Sequence, residues 1–407
     1  MNDSSRGAGT QAILLAAVVA TAAGQTLVFA ILPSLGRAAR MEDFHVGLII
    51  SCSALVYALA SPLWGRFSEY AGRKPVLLIG LGGYTLGTLV FATLFQLGIG
   101  GVLTGMTLLA ALILARVLQA SLMAGTPPAA TSYIADITDT EARTRGMARV
   151  GAAHNLGTIL GPGLGGMLAG VSLVLPLYAA AGVTAVMALL VLVALRESPW
   201  ILSREKPEEV FTMGSATRHS IRAWLDRRVV NVLLVGVLLF MAFALVQQTL
   251  GFLFQDRLEM SPARAAGGVG LAMTLAATAS MLSQAVIVQK LNLSPRVLLR
   301  LATPVMMAGV LLLIHAQTQW NMTLAVALVG LGLGLGIPGV ASLASLRVGA
   351  DEQGTVAGLM GACPALGFIV GPAVGTGLYQ LNPVWPYWVV VGMLLPLSVM
   401  AWKIKDR

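Results

Sequence analysis

Charge is scarce in this chain. Of 407 residues, only 11% are charged and 57% are hydrophobic. Soluble domains carry about a quarter charged residues, and none of this length could hide so much apolar surface from water. Cysteine is almost missing. Cys52 and Cys363 lie far apart in apolar runs, which argues against a disulfide framework or a zinc site. Acidic residues are few and confined: all 17 Asp and Glu fall in predicted loops or at helix ends. There is no His/Asp/Glu cluster and no G-x-S-x-G elbow, so an intramembrane enzyme is not expected. The 18 methionines show no clustered M-x-x-M spacing. They read as adaptable core surface, and no metal site is expected.

Long apolar runs take the place of charge. Only helices and closed barrels satisfy the backbone in lipid, and barrel strands alternate over about 10 residues. Here the runs are continuous, over about 12–35, 45–67, 76–96, 103–136, 146–170, 174–195, 229–254, 264–288, 297–316, 321–346, 355–379 and 385–402. Each can cross a hydrocarbon core of about 30 Å. The expected fold is an all-α integral membrane protein with 12 transmembrane helices. The first run is too long for a signal-peptide core and reads as a retained helix.

The net charge of +9 has a directional distribution. With an even number of crossings, 21 of the 26 basic residues fall on the side of the two termini. The positive-inside rule makes that side cytoplasmic, so nucleic-acid binding is not needed to explain the charge. One long polar segment, 196–228, separates six helices from six. The expected organisation is a six-helix bundle over 1–195, a cytoplasmic linker over 196–228 with a short surface helix around Ser220–Asp226, and a second six-helix bundle over 229–407.

The halves repeat. Residues 156–165 and 366–375 both read L-G-x-x-x-G-P-x-x-G. Gln25-Thr26-Leu27 recurs as Gln248-Thr249-Leu250, and Val76-Leu77-Leu78 as Val297-Leu298-Leu299. Each match lies six helices on in the same orientation. That predicts two bundles related by a parallel pseudo-two-fold axis along the membrane normal.

The connection after the second run reads Gly65-Arg66-Phe67-Ser68-Glu69-Tyr70-Ala71-Gly72-Arg73-Lys74. It resembles the major facilitator signature G-x-x-x-D-R-x-G-R-[KR], with Glu69 and Tyr70 where Asp and Arg are usual. Arg116-Val117-Leu118-Gln119-Ala120 is similar to the R-x-x-Q-G signature, and Gly157-x3-Gly161-Pro162-x2-Gly165 to the motif of the twelve-helix drug:proton antiporter branch. The resemblance covers essentially the whole chain. It implies the bacterial cytoplasmic (inner) membrane, a proton gradient rather than a cofactor as energy source, and a monomer.

The resemblance assigns a conformational gate to Gly65, Glu69, Gly72, Arg73 and Asp136. It implies that Arg73 pairs with Asp136 and that Glu69 sits near Gly354 at the dipole-favoured start of the eleventh helix. Gly157, Gly161 and Gly165 form a bare stripe that admits a close neighbour, and Pro162 bends the helix. With Gly371 and Pro372 in the second copy, the stripes are expected at the interface between the halves, sealing one side of the path.

Arg116 is the one Lys or Arg deep in an apolar run. A charge at the bilayer centre costs about 2.5–3.5 kcal/mol on insertion scales. It either lines a wet cavity, with Gln119 one turn away, or is a structural arginine bonded to backbone carbonyls. His154 changes charge near neutral pH and shares the stripe of the fifth helix, with Asn155 beside it. It is a proton or substrate contact, or a packing histidine. The resemblance implies that the helices of Gln25 and Gln248 line the central cavity, where the two amides either face a polar substrate or hydrogen-bond between helices. Gln247, Gln284, Tyr57, Ser342 and Ser345 are weaker candidates.

A cavity with Arg116, His154 and glutamines but no carboxylate favours neutral or anionic molecules. The expected function is proton-coupled export of a small amphiphilic drug or metabolite by alternating access. A siderophore or other carboxylate metabolite as substrate, or import and facilitation of a small organic solute, are the alternatives.

Overall fold

The computed structural model describes residues 3–138, 140–198, 201–202, 226, 228–291, 293–349 and 352–403. Among these residues the secondary structure is helical throughout, without strands. In chain order the membrane elements are α1 (Asp3–Ala38), α2 (Asp43–Ala71), α3 (Arg73–Ile99), α4 (Gly105–Asp136), α5 (Thr140–Ala169), α6 (Leu175–Ala194), α7 (Val230–Leu258), α8 (Pro262–Val288), α9 (Pro295–His315), α10 (Gln319–Ser345), α11 (Gln353–Leu381) and α12 (Trp385–Lys403). Eleven are long and apolar enough to cross a membrane. The twelfth, α5, begins on the polar run Thr140-Glu141-Ala142-Arg143 and is glycine-rich, which lowers its hydropathy without shortening it. The expected surface helix around Ser220–Asp226 lies almost wholly outside the described residues.

Two elements depart from a plain helix. α4 breaks at Ala124 and Gly125. Pro127 and Pro128 follow, and neither has an N–H to continue the hydrogen-bond ladder. The Trp64 indole N–H donates instead to the Ser121 carbonyl at 2.6 Å, just before the break. α8 ends in a π-helical turn, Ser283–Val288, a form that recurs at functional sites.

The chain forms two compact units: residues 1–41, 52–208 and 262–270, and residues 42–51, 209–261 and 271–407. They follow the halves of the sequence except at the first turns of α2 and α8. In the first unit α5 lies along α1. An ideal methyl at Gly157 would fall 2.5 Å from the Val19 carbonyl oxygen. One at Gly161 would overlap Thr26 Oγ1 and the Ala23 carbonyl, and one at Gly165 would sit 2.9 Å from Leu27. The second unit repeats this with α11 on α7: Gly371 faces Ala244 and Met241, and Gly375 faces Leu245.

The glycines of each stripe pack against the first helix of their own half, Gly157, Gly161 and Gly165 on α1 and Gly371 and Gly375 on α7. The prolines of the same motifs face helices of the opposite sequence half, Pro162 against Gly270 of α8 and Pro372 against Gly47 of α2. Periodicity exposes a stripe but does not say which neighbour fills it. The next glycine, Gly166, turns a different way and meets Ala266 and Gly270 at the start of α8.

Helix ends are fastened by side chains. Ser294 and Thr318 cap α9 and α10, accepting from Val297 N and Asn321 N. Arg257 donates to the carbonyls of Leu313, Ile314 and Ala316 at 2.9–3.1 Å, closing the C-terminus of α9 with a cation, as the helix dipole favours.

Candidate functional site

A cleft of about 260 Å³ opens in the first unit between α1, α4 and α5. It is lined by Val18 and Thr21 of α1, Pro127 and Thr131 from beyond the break in α4, and Val150, Gly151, His154 and Asn155 of α5. His154 and Asn155 are exposed to it. The Thr21 hydroxyl gives its hydrogen to the Ala17 carbonyl at 2.9 Å, so it offers lone pairs to the cleft. Among the described residues no acid or second titratable group lines this space. Its floor is apolar, with Leu14, Val76, Leu77 and Ile134 packed together below.

The α2–α3 connection carries a second constellation. Gly72 has φ 104°, a conformation that glycine adopts without strain. Arg73, 4% exposed, donates from Nε to Asp136 Oδ2 at 3.2 Å and from Nη1 to Ser68 Oγ at 2.7 Å. Ser198 donates to the same Asp136 oxygen at 2.8 Å. The structure thus brings Arg73 and Asp136 together. Glu69 is exposed, Gly65 leaves room for a methyl 3.6 Å from Pro128, and the surroundings of Gly354 lie outside the described residues.

Glu197 was missed by the sequence reading. Its carboxylate accepts from Arg73 N at 2.9 Å, Lys74 N at 3.3 Å and its neighbour Ser198 N at 2.8 Å. It therefore satisfies free amides at the start of α3, 124 residues away in sequence. Lys74 Nζ donates back to the Leu192 carbonyl at 2.8 Å. The only signal in the sequence was an acid directly after the sixth apolar run. Replacing a helix-capping acceptor costs about 0.5–2 kcal/mol. Glu197→Ala is therefore expected to lower the melting midpoint of the solubilised protein, while Glu69→Ala, at an exposed carboxylate, leaves it in place. Equal midpoints for both variants would remove the capping role.

In the second unit Arg228 holds Glu352 through two hydrogen bonds, 2.6 and 3.0 Å, and also binds Asp226. Hydrogen bonds from Arg228 hold both carboxyls below their usual range. Such lowered groups contribute stability that is present above their ordinary range and lost as pH falls through the lowered values. Both are surface groups, so the contribution is small.

Arg116 does not line the cleft. It is 3% exposed, packed between α4 and α3, with its guanidinium carbon 5.6 Å from the Phe91 ring centre. Its Nη1 donates to Gln119 Oε1 at 2.5 Å, and Gln119 Nε2 donates to Thr88 Oγ1 at 2.5 Å and the Tyr84 carbonyl at 3.2 Å. Gln25 is half-buried in α1, and Gln248 is buried in α7. Of the expected cavity residues, His154 and Asn155 share the cleft, and Arg116 and Gln119 share a separate cluster.

A bundle of twelve membrane helices in two units, with a solvent-reaching cleft inside one and charged fastenings at the α2–α3 connection, defines a multi-pass membrane transporter. The chain belongs to the Major Facilitator Superfamily, whose sequence pattern matches residues 13–372. It is 28% identical over 404 residues to Multidrug resistance protein 2 of Bacillus subtilis (strain 168), covering 97% of this chain and 95% of that protein. It is 28% identical over 382 residues to the Tetracycline resistance protein, class C, of Escherichia coli, covering 91% and 89%. Among solved structures, the human organic anion transporter MFSD10 (TETRAN) superposes with a TM-score of 0.66 at 21% identity, covering 98% of this chain and 100% of that one. The nucleoside transporter NupG superposes with a TM-score of 0.73 at 13% identity, covering 97% and 100%. At these identities the structural likenesses establish the fold alone.

Proposed function

We propose that this protein is a secondary active exporter of small amphiphilic molecules, driven by inward proton flow. Full-length similarity to multidrug and tetracycline resistance proteins supports export. The observation that carries the substrate class is the cleft's lining: His154, Asn155, Thr21 and Thr131 supply polarity, and no carboxylate is present to neutralise a cation. Unpaired cationic substrates would lose hydration there without a countercharge. Neutral or anionic molecules need none.

His154 is the proposed proton group. Imidazole is the side chain whose ordinary pKa lies in the physiological range, and among the described residues every other side chain lining the cleft is uncharged. The working location is the bacterial inner membrane, with both termini cytoplasmic, as the distribution of Arg and Lys supports. The Arg73–Asp136 network at the α2–α3 connection is the proposed gate, made and broken as conformations exchange.

The test is efflux from proteoliposomes under an imposed pH gradient, using neutral, carboxylate-bearing and cationic amphiphiles. Acceleration by the gradient with the first two is expected. His154→Gln keeps hydrogen bonding but cannot titrate, so it should retain substrate binding and lose at least about ten-fold of gradient-driven rate. Gradient-independent efflux in the unaltered protein would remove proton coupling, and strong preference for cations would remove the substrate class.

A further inference from the structure

The Arg116 cluster is short of hydrogen-bond acceptors. Arg116 Nε is buried without a hydrogen-bond partner, and the buried Tyr84 hydroxyl has only the Thr88 side chain near it. A guanidinium only donates, and a tyrosine hydroxyl donates readily. The nearby acceptors each already hold one hydrogen bond: Gln119 Oε1 takes Arg116 Nη1, and Thr88 Oγ1 takes Gln119 Nε2. The Tyr84 hydroxyl lies within electrostatic reach of the guanidinium.

No protein carboxylate answers this charge. Among the described residues Arg116 forms no ion pair. The sequence has no Asp or Glu between Asp3 and Glu42, nor between Glu69 and Asp136. Helices α1 and α3 therefore carry no acid along their membrane lengths, and α4 has one only at its end. Among the described residues the cation is offset by Gln119, the Phe91 ring and the neighbouring Tyr84 hydroxyl.

We propose that the Arg116–Tyr84 cluster is a binding locus for a small anion. Its ligand accepts from Arg116 Nε and the Tyr84 hydroxyl and supplies the missing negative charge. A halide and the carboxylate of a small organic acid share this chemistry. The locus is separate from the His154 cleft and does not depend on which molecule that cleft carries. Gly24 of α1 shuts it: a methyl there would overlap the Tyr84 hydroxyl. A shift of α1 is what admits the anion.

The experiment is a melting titration of the full-length protein in detergent at constant pH and ionic strength, replacing the bulky sulfonate HEPES by chloride or bromide in one arm and by formate or acetate in another. A ligand that binds only the folded state raises the midpoint in a saturable way. Saturable stabilisation by either class is expected, and the arm that responds names the source. Tyr84→Phe removes one donor without removing the ring. It should weaken the apparent affinity by about ten- to a hundred-fold, in line with one hydrogen bond to a charged group, and Arg116→Gln should abolish the response. If HEPES and all four anions give the same midpoint in the unaltered protein, the locus does not exist. If anions act equally on Tyr84→Phe and the unaltered protein, they bind elsewhere.

Discussion

Gly161→Leu is expected to abolish accumulation of folded protein. At Gly161 even a methyl would overlap the Ala23 carbonyl and Thr26 Oγ1 of α1. A carbonyl cannot rotate away as a flexible side chain can. Relief requires α5 to leave α1 along the whole crossing, which also separates Gly157 from Val19 and Gly165 from Leu27. Helices in lipid associate through such close packing, without a hydrophobic force to replace it. Overpacking an ordinary core costs about 1–3 kcal/mol, and a displaced helix pair exceeds that. The second stripe gives an internal comparison. A methyl at Gly371 meets the Ala244 methyl at 2.8 Å and the Met241 carbonyl only at 3.2 Å. Gly161→Ala should therefore lower the melting midpoint more than Gly371→Ala. Size-exclusion profiles of solubilised protein decide the matter. A symmetrical peak for Gly161→Leu at the unaltered yield would mean that α5 does not pack as described.

The stripe also marks how far the sequence could be read. Four-residue spacing of Gly157, Gly161 and Gly165 declares a bare face, and the second copy declares the repeat. Neither declares the partner, because α1, α2 and α8 all offer small residues at helical spacing. Arg116 was legible as costly and therefore partnered, since no other Arg or Lys lies deep in an apolar run. Its partners were half legible. Gln119 follows from one turn of helix, while Tyr84, Thr88 and Phe91 come from α3, whose rotation about its axis the sequence leaves open. His154 and Asn155 were placed together by adjacency, but the cleft beside them depends on the break at Gly125. Pro127-Pro128 signals that break in retrospect. Glu197 was opaque. An acid after an apolar run reads as the start of a linker, and only the folded chain carries it back to the amides of Arg73 and Lys74.

Arg73→Ala is expected to reduce transport by at least ten-fold and to destabilise the protein by about 3–5 kcal/mol, the range for breaking one side of a buried ion pair. Arg73 and Asp136 are both largely shielded, with side chains 5% and 12% exposed. Among the described residues, removing the guanidinium leaves Asp136 with Ser198 as its hydrogen-bond partner and takes a donor from the Ser68 hydroxyl, which still donates to the Gly65 carbonyl. Arg73→Lys should not rescue fully. An ammonium is a single point charge, whereas this guanidinium donates to Asp136 from Nε and to Ser68 from Nη1 at once. The double variant Arg73→Ala/Asp136→Ala separates fastening from gating. With the buried charge gone it should regain stability over Arg73→Ala, a coupling that a double-mutant cycle measures. Transport should stay low, because a proposed gate needs a contact that forms and breaks, and the double variant has none. Melting midpoints and vesicle efflux supply the two readings. If the double variant transports at the unaltered rate, the pair only fastens the connection. If it is as unstable as the sum of the single variants, the two side chains are not coupled at all. The outcome in which stability returns and transport does not is the one that α3, α4 and the end of α6, joined at Asp136, lead us to expect.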